Sequence, residues 1–174
     1  NGARAVECPD FFPLGGKWVM VMGFVGYTEP VSGRHNLLFA LVGDFRDDTF
    51  VPDADQMQVL DFGTDFYAMQ SFRAEGRQIA FAWLFNWEYR KPAGSTYSGE
   101  MSLPRELTLD GEGRLLMQPA AELDEAWQAD PLGRDQDGSF AVGDAPFDLR
   151  VTGNLENTRI VATQRGMPSF EILI

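Results

Sequence analysis

Glu7-Cys8-Pro9-Asp10 stands just ahead of a strand-like run, and two later stretches give it meaning: Asp61-Phe-Gly-Thr-Asp-Phe-Tyr-Ala-Met-Gln70 and Met101-Ser-Leu-Pro-Arg-Glu-Leu107. A carboxylate set beside a cysteine and a Pro-Asp pair is an uncommon tetrapeptide. Proline locks its own φ, so Pro9 stiffens the backbone next to Glu7. A lone Glu ahead of a strand is ordinarily a solvated surface residue. The two downstream segments are what single out Glu7.

Strand signals dominate between and around these segments. Lys17-Trp-Val-Met-Val-Met-Gly-Phe-Val25 follows a Gly15-Gly16 turn, and Asn36-Leu-Leu-Phe-Ala-Leu-Val-Gly-Asp-Phe45 is a second β-rich run. Thr49-Phe-Val51 reads as a short strand ending at Pro52. The pattern then restarts with Phe66–Phe72 and Gln78–Phe85. Beyond the polar loop from Glu88 to Ser98 come Met101–Leu103, Leu107–Leu109 and, across the Asp110-Gly-Glu-Gly113 turn, Arg114–Gln118. Each half opens with a carboxylate-bearing strand, continues with a buried strand and ends in more peripheral ones. Glu7 and Asp65 are about 58 residues apart, close to the period of a large propeller blade. Two consecutive four-stranded antiparallel blades fit this plan, and so does a β-meander or sandwich.

The texture changes at Ala120. Residues 120–128 carry apolar side chains at helical spacing and predict a short linking helix. Asp130 to Gly138 reads as loop, and Phe147–Val151, Arg159–Ala162 and Ser169–Ile174 read as strands. The sequence stops inside that last apolar run and starts at Asn1 rather than Met, so both natural termini are expected to lie further out.

Composition excludes several function classes. The 174 residues are 44% hydrophobic, enough for a packed core, and 13% aromatic. The net charge of −12 disfavours nucleic acid and anionic membrane surfaces as partners. No apolar run reaches the roughly 18 residues of a membrane span. Cys8 is the sole cysteine, so no internal disulfide forms; this fits the cytoplasm, while secretion stays compatible with a start at Asn1. His35 is the sole histidine, which argues against a zinc site. The acidic group Asp44, Asp47, Asp48, Asp53 and Asp55 lacks the spacing of a calcium loop and reads as solvated. A nucleophile elbow, a P-loop and a dinucleotide fingerprint are all missing from the sequence. Neither a metal nor an organic cofactor is expected.

The three quoted segments, in their order, resemble glycoside hydrolase family 32, the invertase and sucrose-6-phosphate hydrolase group. The resemblance runs over roughly residues 5–125. It implies an all-β chain: the last two blades of a five-bladed β-propeller (1–119), a linker with a short helix (120–138) and the beginning of a C-terminal β-sandwich (139–174). It also implies a retaining hydrolase of β-fructofuranosides such as sucrose, sucrose 6-phosphate or fructan. Such an enzyme flanks the scissile bond with two carboxyl groups about 5–5.5 Å apart, and its acid is kept protonated by a neighbouring carboxylate and partial burial.

Carried onto this sequence, Glu7 is the acid/base. Tyr67 is expected beside it, with its hydroxyl on the carboxyl. Asp65 either meets the sugar or caps the turn around Gly63 together with Asp61. Trp83 follows Ala82 where the family usually has Gly; it offers a sugar a flat face with an N–H to donate, or else belongs to the core. Trp87 and Tyr89 are candidates for an outer subsite. Arg105, in Pro104-Arg105-Glu106, is expected to be structural, bridging the backbone of neighbouring strands. The family's nucleophilic Asp sits in a Trp-Met-Asn-Asp-Pro-Asn-Gly-like motif and its transition-state-stabilising Asp in an Arg-Asp-Pro motif. Neither motif occurs in these 174 residues. An isolated chain is therefore expected to be inactive and to self-associate through an open propeller edge. A non-catalytic carbohydrate-binding or interaction module of this fold, and a β-rich structural domain, are the competing readings.

Overall fold

The computed structural model describes residues 2–54, 57–63, 65–85, 94–126, 154, 156, 159–162 and 170–173. The chain divides into two compact units, Asn1–Gln128 and Ala129–Ile174. Among the described residues no helix is long and apolar enough to cross a membrane.

The first unit contains two antiparallel sheets. One runs β1 (Ala5–Leu14), β2 (Lys17–Val25), β3 (Leu38–Arg46) and β4 (Thr49–Pro52) side by side, with β5 (Gln58–Val59) returning to β3. The other runs β6 (Phe66–Ala74), β7 (Arg77–Leu84), β9 (Arg105–Leu109) and β10 (Leu115–Pro119), with β8 (Glu100–Met101) beside β7. The first sheet thus gains an unexpected two-residue strand, β5.

Period-two patterning sets which faces meet. On β2, Val19, Val21 and Gly23 are buried while Trp18, Met20 and Met22 between them are half-buried. The buried rows of both sheets form one core: Phe12, Val19, Val21, Leu38 and Ala40 from the first, and Phe66, Tyr67, Met69, Ala80, Ala82, Leu107 and Leu115 from the second. Gln58 seals the seam. Its Nε2 donates to Leu115 O at 2.7 Å and its Oε1 accepts from Leu115 N at 3.0 Å, so a side-chain amide satisfies backbone groups of the other sheet.

Three expectations change. The tetrapeptide at Glu7 lies inside β1, not ahead of a strand, because a bulge lets Pro9 sit where the ladder is skipped. The strand expected at Met101–Leu103 is only Glu100–Met101: Ser102 N–H still donates to Ala82 O at 2.9 Å, but the return bond from Ala82 N–H goes to Ser102 Oγ at 3.0 Å, so a side chain ends the ladder. The linking helix is α1 (Glu122–Ala126), with Glu122, Asp124 and Glu125 at its positive end. Arg77 holds Glu122 there through contacts of 2.6 and 3.1 Å.

In the second unit, β11 (Arg159–Ala162) pairs antiparallel with β12 (Phe170–Leu173), matching Arg159 to Leu173 and Ala162 to Phe170. The loop expected at Asp130–Gly138 and the strand at Phe147–Val151 lie outside the described residues.

Candidate active site

Two matching bulges shape the site. On β1, Glu7 pairs with Gly23 and Asp10 with Val21, which leaves Cys8 and Pro9 opposite Met22 alone. On β6, Tyr67 pairs with Trp83 and Gln70 with Phe81, which leaves Ala68 and Met69 opposite Ala82 alone. The first extra residue of each bulge is left-handed, with φ of 48° at Cys8 and 51° at Ala68. An extra residue bends a strand and re-aims its neighbours. The two bulges are tied together: Gln70 Nε2 donates to Cys8 O at 3.1 Å and to Met69 O at 2.9 Å. Ser71 Oγ donates to Asp10 Oδ2 at 2.6 Å while accepting from Gln78 Nε2 at 2.8 Å. Burial lifts the Asp10 carboxyl above its ordinary range against these Ser71 hydrogen bonds.

Across this seam Tyr67 Oη donates to Glu7 Oε2 at 3.3 Å. Tyr67 is only 2% exposed. Burial first, and then the negative charge of Glu7, hold its phenol far above the usual tyrosine range, so it stays a proton donor at any working pH. Glu7 itself is exposed, where partial burial was expected. The reason is its place: β1 is the edge strand of its sheet and borders only β2 within it.

Asp65 and Asp61 divide the roles expected of Asp65. The turn is capped by Asp61, whose Oδ1 accepts the Gly63 N–H at 2.7 Å. Asp65 receives the Phe85 N–H on its backbone oxygen at 2.9 Å, and its carboxylate Oδ1 is buried without a hydrogen-bond partner. Such an orphaned acceptor is uncommon in a folded chain, and its burial keeps this oxygen away from solvent. Among the described residues Arg105 donates to a carboxylate and not to strand backbones. Its Nη1 meets Asp61 Oδ2 at 2.7 Å and its guanidinium lies 4.0 Å over the Phe66 ring. A nearby carboxylate is a stronger acceptor for a guanidinium than a neutral carbonyl.

Trp83 is half-buried beside Tyr67, on the neighbouring strand. Its N–H is not free for a sugar, as had been expected: Nε1 donates to Ser98 O at 3.1 Å. Gly99 permits this approach, because a side chain there would collide with the indole nitrogen. Phe85 stacks on the indole at 4.1 Å. The exposed part of Trp83 is ring surface. Trp87 and Tyr89 lie outside the described residues.

The remaining candidates are spent locally. His35 Nδ1 shares a 2.8 Å hydrogen bond with Thr28 Oγ1. Asp44 and Asp53 meet Lys17 at 3.3 and 3.0 Å, so this part of the acidic group is neutralised by a side chain and not only solvated. Among the described residues no group of three or more His, Cys, Asp or Glu is arranged to hold a metal.

The fold and site define an all-β protein whose paired antiparallel sheets bring a carboxyl and a phenol together at matched bulges. The model of the glycosyl hydrolases family 32 N-terminal domain matches residues 1–119. The chain belongs to glycoside hydrolase family 32. It is 36% identical over 166 residues to a sucrose-6-phosphate hydrolase of Zymomonas mobilis subsp. mobilis, covering 92% of this chain and 31% of that protein. It is 35% identical over 177 residues to an extracellular exo-inulinase of Meyerozyma guilliermondii, covering 95% and 32%. A family 32 glycoside hydrolase structure from Bifidobacterium adolescentis superposes with a TM-score of 0.69 at 34% identity, over 78% of this chain and 22% of that one. The chain spans between about a fifth and a third of the length of the curated relatives it matches.

Gly23 is the residue that reading the sequence missed. Its Cα faces that of Glu7 across β1 and β2, and the Tyr67 ring rests against it. A glycine inside an otherwise regular strand was the available signal.

Proposed function

We propose that this chain carries the acid/base half of a retaining glycosidase that hydrolyses β-fructofuranosides such as sucrose or sucrose 6-phosphate. Residues 1–119 form the last two blades of a five-bladed propeller, 120–138 a linker, and 139–174 the beginning of a β-sandwich. The observation that carries the reading is the hydrogen bond from Tyr67 to Glu7 across the seam between the sheets. Glu7 protonates the leaving glycosidic oxygen and afterwards takes a proton from the attacking water. Tyr67 holds one carboxyl oxygen by donation, which leaves the other to face the substrate. Asp65, which is only half-buried as a residue, accepts a sugar hydroxyl through its other carboxylate oxygen, since Oδ1 is buried. Trp83 supplies a flat apolar surface for a ring.

A double displacement also needs a nucleophilic carboxylate. The motif that carries it in the family is not in these 174 residues, so the isolated chain is inactive. The half-buried aromatic group Phe11, Trp18 and Phe50, with the exposed Phe45 beside it, supports self-association of an isolated chain. A cytoplasmic setting suits the exposed thiol of Cys8. The deciding experiment is Glu7→Gln in the intact enzyme with sucrose as substrate. We expect kcat to fall by about 10²–10⁴ with KM little changed. Undiminished turnover removes Glu7 from the mechanism.

A further inference from the structure

The end of the Tyr67 ring occupies the space that a side chain at residue 23 would need. Gly23 is buried on β2, paired with Glu7 in the β1–β2 register. A Cβ on Gly23 would stand 2.5 Å from Tyr67 Oη, 2.7 Å from its Cζ and 2.8 Å from its Cε2. Favourable carbon contacts lie at about 3.5–4.0 Å, so even one methyl group forces the ring to move. The atoms in the way are those that reach Glu7. The backbone at Gly23 is outside the left-handed region, so space and not backbone conformation demands glycine here. Close packing leaves a ring that is 2% exposed little room to swing aside.

We propose that Gly23 is a positioning residue for the acid: its missing side chain seats the Tyr67 phenol against β2 so that the hydroxyl reaches the Glu7 carboxyl. This rests on the reading of Glu7 as the acid/base. The first sheet then contributes both the carboxyl and the recess, and the second sheet contributes the phenol that fills one and holds the other.

The test compares Gly23→Ala, Tyr67→Phe and the double variant in the intact enzyme, with sucrose as substrate. Gly23→Ala lowers kcat about tenfold with KM within about twofold, the size expected for one charge-assisted hydrogen bond lost near the transition state. In the Tyr67→Phe background the same substitution leaves kcat within about twofold, while Tm still falls because the ring carbons still collide. A merely structural glycine gives equal kcat losses in both backgrounds, and that result, or an unchanged kcat in Gly23→Ala, overturns the proposal. If Gly23→Ala does not fold, the comparison moves to Tyr67→Leu, where the ring is gone. There Gly23→Ala keeps the Tm of its parent, and a double variant that remains unfolded overturns the proposal. Turnover that survives Glu7→Gln removes both the acid reading and this one. Loss of turnover in Glu7→Gln beside additive kcat losses at Gly23 removes this one alone.

Discussion

In the first sheet the ladder skips at Cys8, directly after Glu7; in the second it skips at Ala68, directly after Tyr67. The paired side chains stand 60 residues apart and meet in space. The surroundings of the two bulges differ. Residues 5–9 of β1 are exposed, whereas Phe66, Tyr67 and Met69 of β6 are buried. The same backbone device therefore presents a carboxyl to solvent and a buried phenol that donates to it. Burial first, and then the negative charge of Glu7, keep the phenol in its protonated form beside the exposed carboxyl.

The most severe way to break the comparison is to truncate the second bulge residue on each strand. Met69 is fully buried and Pro9 is exposed. Met69→Ala should destabilise by about 2–5 kcal/mol in urea unfolding, and Pro9→Ala by under about 1 kcal/mol. Equal costs would mean that the two bulges are not differently embedded. Arg105→Ala tests the pin beneath the second bulge. It strands the largely buried Asp61 carboxylate and uncovers Phe66, and should cost about 1–3 kcal/mol by the same measurement. A loss near zero would show that Asp61 is satisfied without its partner.

Glycine substitutions at the left-handed positions sharpen the contrast on a finer scale. Cys8→Gly relieves an unfavourable φ at an exposed site and should gain about 0.5–1 kcal/mol. Ala68→Gly gives back that gain by losing a methyl packed against the core, worth about 0.8 kcal/mol, and should be near neutral. The smallest effect is a pH dependence at Asp10. Its folded-state pKa is raised, so the unfolded chain releases the proton first as pH rises. Stability then falls through that window; the deficit is complete above the folded pKa and absent below about pH 4. Asp10→Asn should accordingly raise Tm, relative to the parent, more at pH 7 than at pH 3.5. The opposite ordering would mean that the Ser71 hydrogen bond outweighs burial.

Much of the strand layout was legible in the sequence. The run Lys17–Val25 is β2 to the residue, and Arg159–Ala162 is β11. Tyr67 was placed beside Glu7 by the family resemblance, and the two side chains do meet. Other features were not legible. The sequence does not say that Ser98 would take the Trp83 N–H, or that Asp61 and not Asp65 would cap the turn. Arg105 has five donors in any setting, and only its neighbours decide that Nη1 donates to Asp61 while the guanidinium lies over the Phe66 ring.

Alternating apolar side chains and turn residues act on near neighbours in the chain, so the sequence by itself determined that this protein is antiparallel β and which face of each strand is apolar. The placing of the Tyr67 phenol on Gly23 and against Glu7 was decided only by tertiary structure. That arrangement depends on the register of two separate hairpins and on how their sheets pack, and neither is a property of any short stretch of residues.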